Sequence, residues 1–101
     1  MLLRPPAQIH FPNAFTPDGD GINDWFGPIG HYIDEFELLI YDRWGELIFQ
    51  TEDVDQLWDG EVNGSKAMTG VYVYRYRAVG HNLPAQEGIG HVTLLTGDAE
   101  Y

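Results

Sequence analysis

Gly70-Val71-Tyr72-Val73-Tyr74-Arg75-Tyr76-Arg77-Ala78-Val79-Gly80 is the stretch that decides the fold. Tyr72, Tyr74 and Tyr76 recur at every second position, with Val71, Val73, Arg75, Arg77 and Val79 between them. In a strand, successive side chains point to opposite faces, so this spacing places the three rings on one side of a sheet. The aromatic and β-branched content suits a pleated surface. Glu35-Phe36-Glu37-Leu38-Leu39-Ile40-Tyr41 shows the same period, with Phe36, Leu38 and Ile40 on one face. Glu46-Leu47-Ile48-Phe49-Gln50 is a further run, and Asp42-Arg43-Trp44-Gly45 joins the two as a tight hairpin with a glycine bulge. Ile9 and Phe11 flank His10 in a short first strand, and Ile89–Thr96 forms the last, with Val92 and Leu94 on one side.

Twelve Gly and six Pro break the remainder into short pieces, which leaves little room for helices. Short strands separated by turn chemistry predict an all-β, antiparallel β-sandwich in a single domain. A length of 101 residues is sufficient for one core without a staple. Hydrophobic residues at 44% and aromatics at 14% oppose disorder.

Charge and composition exclude whole function classes. Sixteen acidic residues stand against five basic ones, for a net charge of −11. A nucleic-acid binder needs clustered cations, and so does a protein drawn to an anionic membrane. Cysteine is absent, which removes disulfides, thiolate metal sites and thiol catalysis. There is no apolar run of about 18 residues to span a bilayer. Met1-Leu2-Leu3-Arg4-Pro5-Pro6 is too short in apolar residues for a signal peptide.

Enzyme chemistry finds little purchase. Ser65, the only serine, is adjacent to Lys66 inside a turn, where the two do not converge on a pocket. His10, His31, His81 and His91 lack metal-ligand spacing. A glycosidase pair needs a cleft between its carboxylates, and a small sandwich filled by side chains offers none. The expectation is a non-enzyme without a small-molecule substrate.

The densest polar cluster is Thr16-Pro17-Asp18-Gly19-Asp20-Gly21-Ile22-Asn23-Asp24. Two readings stand. Asp, Asn and Gly favour Asx-turns and satisfy loop amides. Alternatively, the carboxylates of Asp18, Asp20 and Asp24 and the carbonyl of Ile22 converge on a hard cation such as Ca²⁺. The spacing is not an EF-hand, because Ile29 stands where its glutamate belongs. Trp58-Asp59-Gly60 and Asn63-Gly64 add turn dipeptides beside a large anchor. Trp44 and Trp58 are each read as loop or core anchors rather than sugar-stacking platforms.

Taken in order, these residues resemble a known family. Phe11-Pro12-Asn13-Ala14-Phe15-Thr16-Pro17-Asp18-Gly19-Asp20-Gly21-Ile22-Asn23-Asp24 is similar to the opening of the gliding-motility-associated C-terminal domain, the type B sorting domain of the type IX secretion system. Tyr41-Asp42-Arg43-Trp44-Gly45, Trp58-Asp59-Gly60, Gly70-Val71-Tyr72 and Gly90-His91-Val92-Thr93-Leu94-Leu95 match its later motifs. The resemblance implies an immunoglobulin-like sandwich at the C-terminus of a larger exported cargo in the Bacteroidetes. It implies delivery through the periplasm and outer membrane to the cell surface or medium. The implied partners are outer-membrane components of the type IX translocon.

The domain is placed at residues 9–96, after an extension or linker at 1–8 and before a tail at 97–101. Pro12, Asn13, Phe15, Pro17, Gly19, Gly21, Asn23, Arg43, Trp44, Gly45, Trp58, Asp59, Gly60, Gly70 and Tyr72 are its structural motif residues. Val92, Thr93, Leu94 and Leu95 are the expected recognition strand. Asp18 stands where the family usually has Asn, and Thr96–Tyr101 replaces a basic ending. The competing reading is a calcium-dependent adhesive or carbohydrate-binding sandwich.

Overall fold

The computed structural model describes residues 8–17, 24–31, 33–80 and 84–95. Its organising element is β8 (Gly70–Gly80), eleven residues long. On one side it pairs antiparallel with β4 (Ile33–Tyr41), and on the other with β9 (Gln86–Leu94). β5 (Leu47–Thr51) extends the sheet beyond β4, and the two-residue β2 (Ala14–Phe15) lies beyond β9.

The face periodicity holds as expected. Tyr72, Tyr74 and Ala78 of β8 are buried, as are Phe36, Leu38 and Ile40 of β4 and Val92 and Leu94 of β9. Cross-strand register aligns them: Ile40 lies opposite Tyr74, Leu38 opposite Tyr76 and Tyr72 opposite Val92. Pairs directly opposite share a face, so these residues form one continuous apolar surface.

A thinner layer covers that surface. It contains the ribbon of β1 (Gln8–His10) and β3 (Ile29–His31), and the small hairpin of β6 (Glu61–Val62) and β7 (Ser65–Lys66). Phe26 and Trp58 form an isolated antiparallel bridge, each N–H donating to the other's carbonyl at 2.8 Å. Both side chains are fully buried. Phe11 leaves β1 and lays its ring over the sheet, with centroids 4.5 Å from Tyr74 and 4.8 Å from Tyr76. The lid is therefore aromatic, and it meets an aromatic sheet.

Two features depart from the expected pattern. The sheet is mixed, because β2 runs parallel to β9 rather than antiparallel. Only two residues pair there, held by Thr93 N–H donating to the Asn13 carbonyl and Leu95 N–H to the Phe15 carbonyl, both at 2.9 Å. So short a strand carries no readable period, and burial of Phe15 fixes its place. The first strand also ends one residue early, at His10, because Phe11 turns inward to the core.

The rings of Tyr74 and Tyr76 need room on the neighbouring strand. Register puts Gly90 opposite Tyr74 and Gly88 opposite Tyr76. A Cβ on Gly88 would meet Tyr76 Cε1 at 2.6 Å, and one on Gly90 would collide with Cζ and the hydroxyl of Tyr74. The two phenols therefore lie across the bare backbone of β9. Gly90→Ala is expected to destabilise the domain by ~1–3 kcal/mol, the usual cost of overpacking a core. Urea unfolding checks this, and an unchanged midpoint would contradict the ring placement.

Candidate functional site

The turn between β4 and β5 is built around one carboxylate. Asp42 Oδ1 accepts from the N–H groups of Trp44 and Glu46, each at 2.9 Å. Asp42 N–H donates to the Glu46 carbonyl at 2.9 Å, and Gly45 N–H donates to the Asp42 carbonyl at 3.0 Å. Gly45 has φ 81°, a left-handed conformation that glycine adopts without a Cβ clash. The register shifts between Ile40 and Tyr41, confirming the bulge beside this turn. Arg43 reaches to within 3.5 Å of the Thr69 carbonyl and presses against Gly70, while its guanidinium carbon lies 5.4 Å from the Trp44 ring centre.

The two tryptophans have opposite fates. Trp58 is a core anchor: it is 0% exposed, and its indole N–H donates to the Glu61 carbonyl at 3.0 Å. Asp59 caps the same loop by accepting from Glu61 N–H at 3.0 Å, and Gly60 is buried against Pro17. Trp44, expected as a core or loop anchor, is 74% exposed at the tip of the turn. The turn is held by Asp42 instead, and the indole is not needed to fix it.

The acidic loop lies largely outside the described residues, and with it Asp18, Gly19, Asp20, Gly21, Ile22 and Asn23. Its described flanks are half-buried Pro17 and buried Asp24, which has a partner in the fold. Among the described residues, no three His, Asp or Glu side chains are grouped to hold a metal. Of the remaining motif residues, Phe15 is buried, Pro12 is half-buried, and exposed Asn13 contributes its carbonyl to β9.

The expected recognition strand divides in two. Val92 and Leu94 face the core and are 0% and 3% exposed, so their side chains are inaccessible to a partner. Thr93 is half-buried and Leu95 is exposed, but their amides are already bonded to the segment around β2. Those bonds reveal which way β9 faces. Thr93 N–H points away from β8, and the register Thr93, His91, Ile89, Glu87 continues unbroken opposite Val71, Val73, Arg75 and Arg77. In an antiparallel ladder the outward-pointing residues alternate, so the N–H and C=O groups of His91, Ile89 and Glu87 also point outward. Among the described residues, no strand pairs with them. Among the described residues the open edge is therefore Glu87–His91, with Val92–Leu95 closed by the core and by β2. Alternation within Gly88-Ile89-Gly90 was the available signal, since it marks a strand with bare backbone on one side.

Burial also perturbs two phenols. Desolvation raises the pKa of Tyr72; nearby Arg43 opposes the shift and Asp42 adds to it. Tyr74 is raised by desolvation and then by Tyr76. The Tyr72 hydroxyl donates to the Met68 carbonyl at 2.6 Å.

Folded-state values above 10.0 mean that the unfolded chain releases these protons first as pH rises. Stability is thus fully present below pH 10.0 and falls as pH climbs through the raised values, which thermal melts across that range will show. Trp58→Ala should cost ~3–5 kcal/mol, the range for a large buried aromatic. Trp44→Ala should stay within about 0.5 kcal/mol, as for an exposed side chain. Comparable losses in chemical denaturation would contradict this division.

Comparisons with known proteins agree with this architecture. The chain is similar over 93% of its length to 95% of the chain in the crystal structure of CopC from Methylosinus trichosporium OB3b, with TM-score 0.59 and 13% identity. That likeness shows the β-sandwich fold alone. No curated protein matches the chain. The family model described as CHU_C Type IX secretion signal domain matches residues 9–94, from β1 to the end of β9. Such a domain is a secretion signal rather than a catalyst, is carried by a larger protein, and marks it for the cell surface or for secretion. The chain belongs to the type IX secretion signal domain family.

Proposed function

We propose that this domain is a C-terminal sorting signal that directs a large cargo from the periplasm across the outer membrane, and that outer-membrane components of the translocon read it as a folded object. The family match over residues 9–94 carries this reading, because it spans the whole sandwich rather than one short motif. The immunoglobulin-like description of that sandwich rests on the sequence resemblance. Recognition of a folded surface is supported by β9 itself, whose Val92 and Leu94 complete the core. An unfolded label would not present β9 in a fixed register.

The open side of β9 offers the means of reading. A strand from a partner can add to an exposed sheet edge, gaining affinity from main-chain hydrogen bonds and specificity from alternate side chains. Glu87, Ile89 and His91 supply both. The acidic surface would speed encounter with a basic partner in a salt-dependent way.

A calcium-dependent adhesive or carbohydrate-binding module is the second reading, favoured by the 74% exposed Trp44. In that case Asp18, Asp20, Asp24 and the Ile22 carbonyl would hold Ca²⁺. A calcium-induced melting shift lost in Asp20→Ala, together with glycan binding lost in Trp44→Ala, would support it. Glycan binding by the isolated domain without export activity would displace the sorting reading.

The deciding experiment fuses residues 1–101 behind a periplasmic reporter in a type IX-competent cell. Translocon-dependent delivery to the surface or medium is expected. Ile89→Pro removes one outward N–H and leaves the β8 ladder intact, as proline at an edge position does. It should cut delivery roughly tenfold, equivalent to ~1.4 kcal/mol of recognition. Undiminished export of a folded Ile89→Pro fusion would exclude edge pairing.

A further inference from the structure

The face of the sheet turned away from the core holds an arrangement that the edge alone does not explain. Register places Leu39 and Ile89 directly on either side of Arg75, with Val73 two residues before it on the same strand. Tyr41 and Val71 continue the apolar surface along the sheet. Val71 is 50% and Ile89 67% exposed. Single exposed apolar residues are ordinary, but these are contiguous across three strands. A groove of about 540 Å³ runs over the Arg75 end of this surface.

Arg75 is exposed and has no ion-pair or hydrogen-bond partner among the described residues. Its neighbour Arg77 is engaged by Glu87, Nε to Oε2 at 3.6 Å, and Glu37 lies opposite Arg77 on β4. The pattern is one unpaired cation flanked by Leu39, Ile89 and Val73, with His91 opposite Val73 and carboxylates at the Arg77 end. It is unusual on a chain with only five basic residues.

Because Arg75 sits between Leu39 and Ile89, no partner can cover both without covering the guanidinium. In water that group is well solvated. Once covered it must regain hydrogen bonds and a counter-charge, or the contact is penalised by an unpaired buried charge. A carboxylate satisfies the planar guanidinium in bidentate fashion. Arginine and tyrosine are also the residue types that dominate interface energetics.

We infer that this face, centred on Arg75, docks a segment of a partner protein that presents one carboxylate between apolar side chains, with basic residues where it meets Glu35 and Glu37. The inference rests on the sorting reading and names the chemistry of the partner. The face adjoins the open edge of β9, and Ile89 belongs to both. One segment added beside β9 can therefore project alternate side chains onto the patch. A second copy of this chain is disfavoured as occupant, since two bodies of charge −11 repel each other.

The test uses the reporter fusion with Arg75→Lys, Arg75→Gln and Arg75→Glu. All three should melt with the parent domain, because the side chain is exposed. Delivery should fall in the order Lys, Gln, Glu, with Glu down at least roughly tenfold, the factor that corresponds to ~1.4 kcal/mol of recognition. If Arg75→Glu does not fold, the Lys and Gln pair still gives the order. A purely structural arginine would give no such dependence on charge. Equal delivery by the folded variants, with the parent exported normally, overturns the docking inference and leaves the sorting reading standing. Failure of the parent fusion removes both. Sedimentation of the parent domain supplies the remaining outcome: a dimer dispersed by Arg75→Glu would assign the face to a second copy and overturn the proposal.

Discussion

The rest of the structure depends on two tyrosines lying across two glycines. Tyr74 and Tyr76 could not face the core unless β9 offered bare backbone beneath them, at Gly90 and Gly88. With the phenols lying over β9, Phe11 and Phe26 can pack against them from above, at centroid distances of 4.5–5.2 Å. Phe26 is in turn bonded through its backbone to Trp58, which contacts Phe15, Tyr72 and Phe49. A single aromatic network therefore ties the lid to β2, β5 and β8, and the two phenols carry it onto β9. Offset and edge-on ring pairs add to area burial, so a thin lid can hold where a full second sheet would otherwise be needed.

That network also explains how β9 can serve two purposes. Its core side is committed: Val92 and Leu94 are buried, and the two glycines lie under rings. Its outward amides at Thr93 and Leu95 are bonded to the β2 segment. Between Glu87 and His91, only the inner half of the strand is occupied. Core packing fixes the position and direction of the free backbone groups, so the edge is preorganised before any partner arrives. The other edge of the sheet differs. β5 is five residues long and follows a bulge, a common device for blunting an edge.

Much of this was legible in the sequence. Period-two patterning identified the core faces of β4 and β8, and Asp42-Arg43-Trp44-Gly45 read as the bulged hairpin that it is. The illegible parts share one physical cause: they depend on register between segments distant in the chain. Trp44 and Trp58 sit in similar turn chemistry, and only the bridge to Phe26 makes one of them core. Arg75 looks like any exposed strand arginine until register sets Leu39 and Ile89 beside it. The direction of β2 could not be read from two residues, and it is β2 that leaves only Glu87–His91 of the β9 edge open among the described residues.

An unblunted edge is a hazard in most proteins, because copies of the chain can pair through it. Here the edge segment contains two glycines and one exposed isoleucine, with neither lysine nor proline to discourage pairing. The protection comes from elsewhere. A net charge of −11 on a domain this small repels identical copies at long range, while leaving the backbone groups of the edge untouched. The same field attracts a partner of opposite sign, so one property suppresses self-association and favours the proposed encounter. A lysine or proline on the edge itself would have blocked both kinds of pairing. Global charge separates them, as the proposed reading of this edge by a translocon component requires.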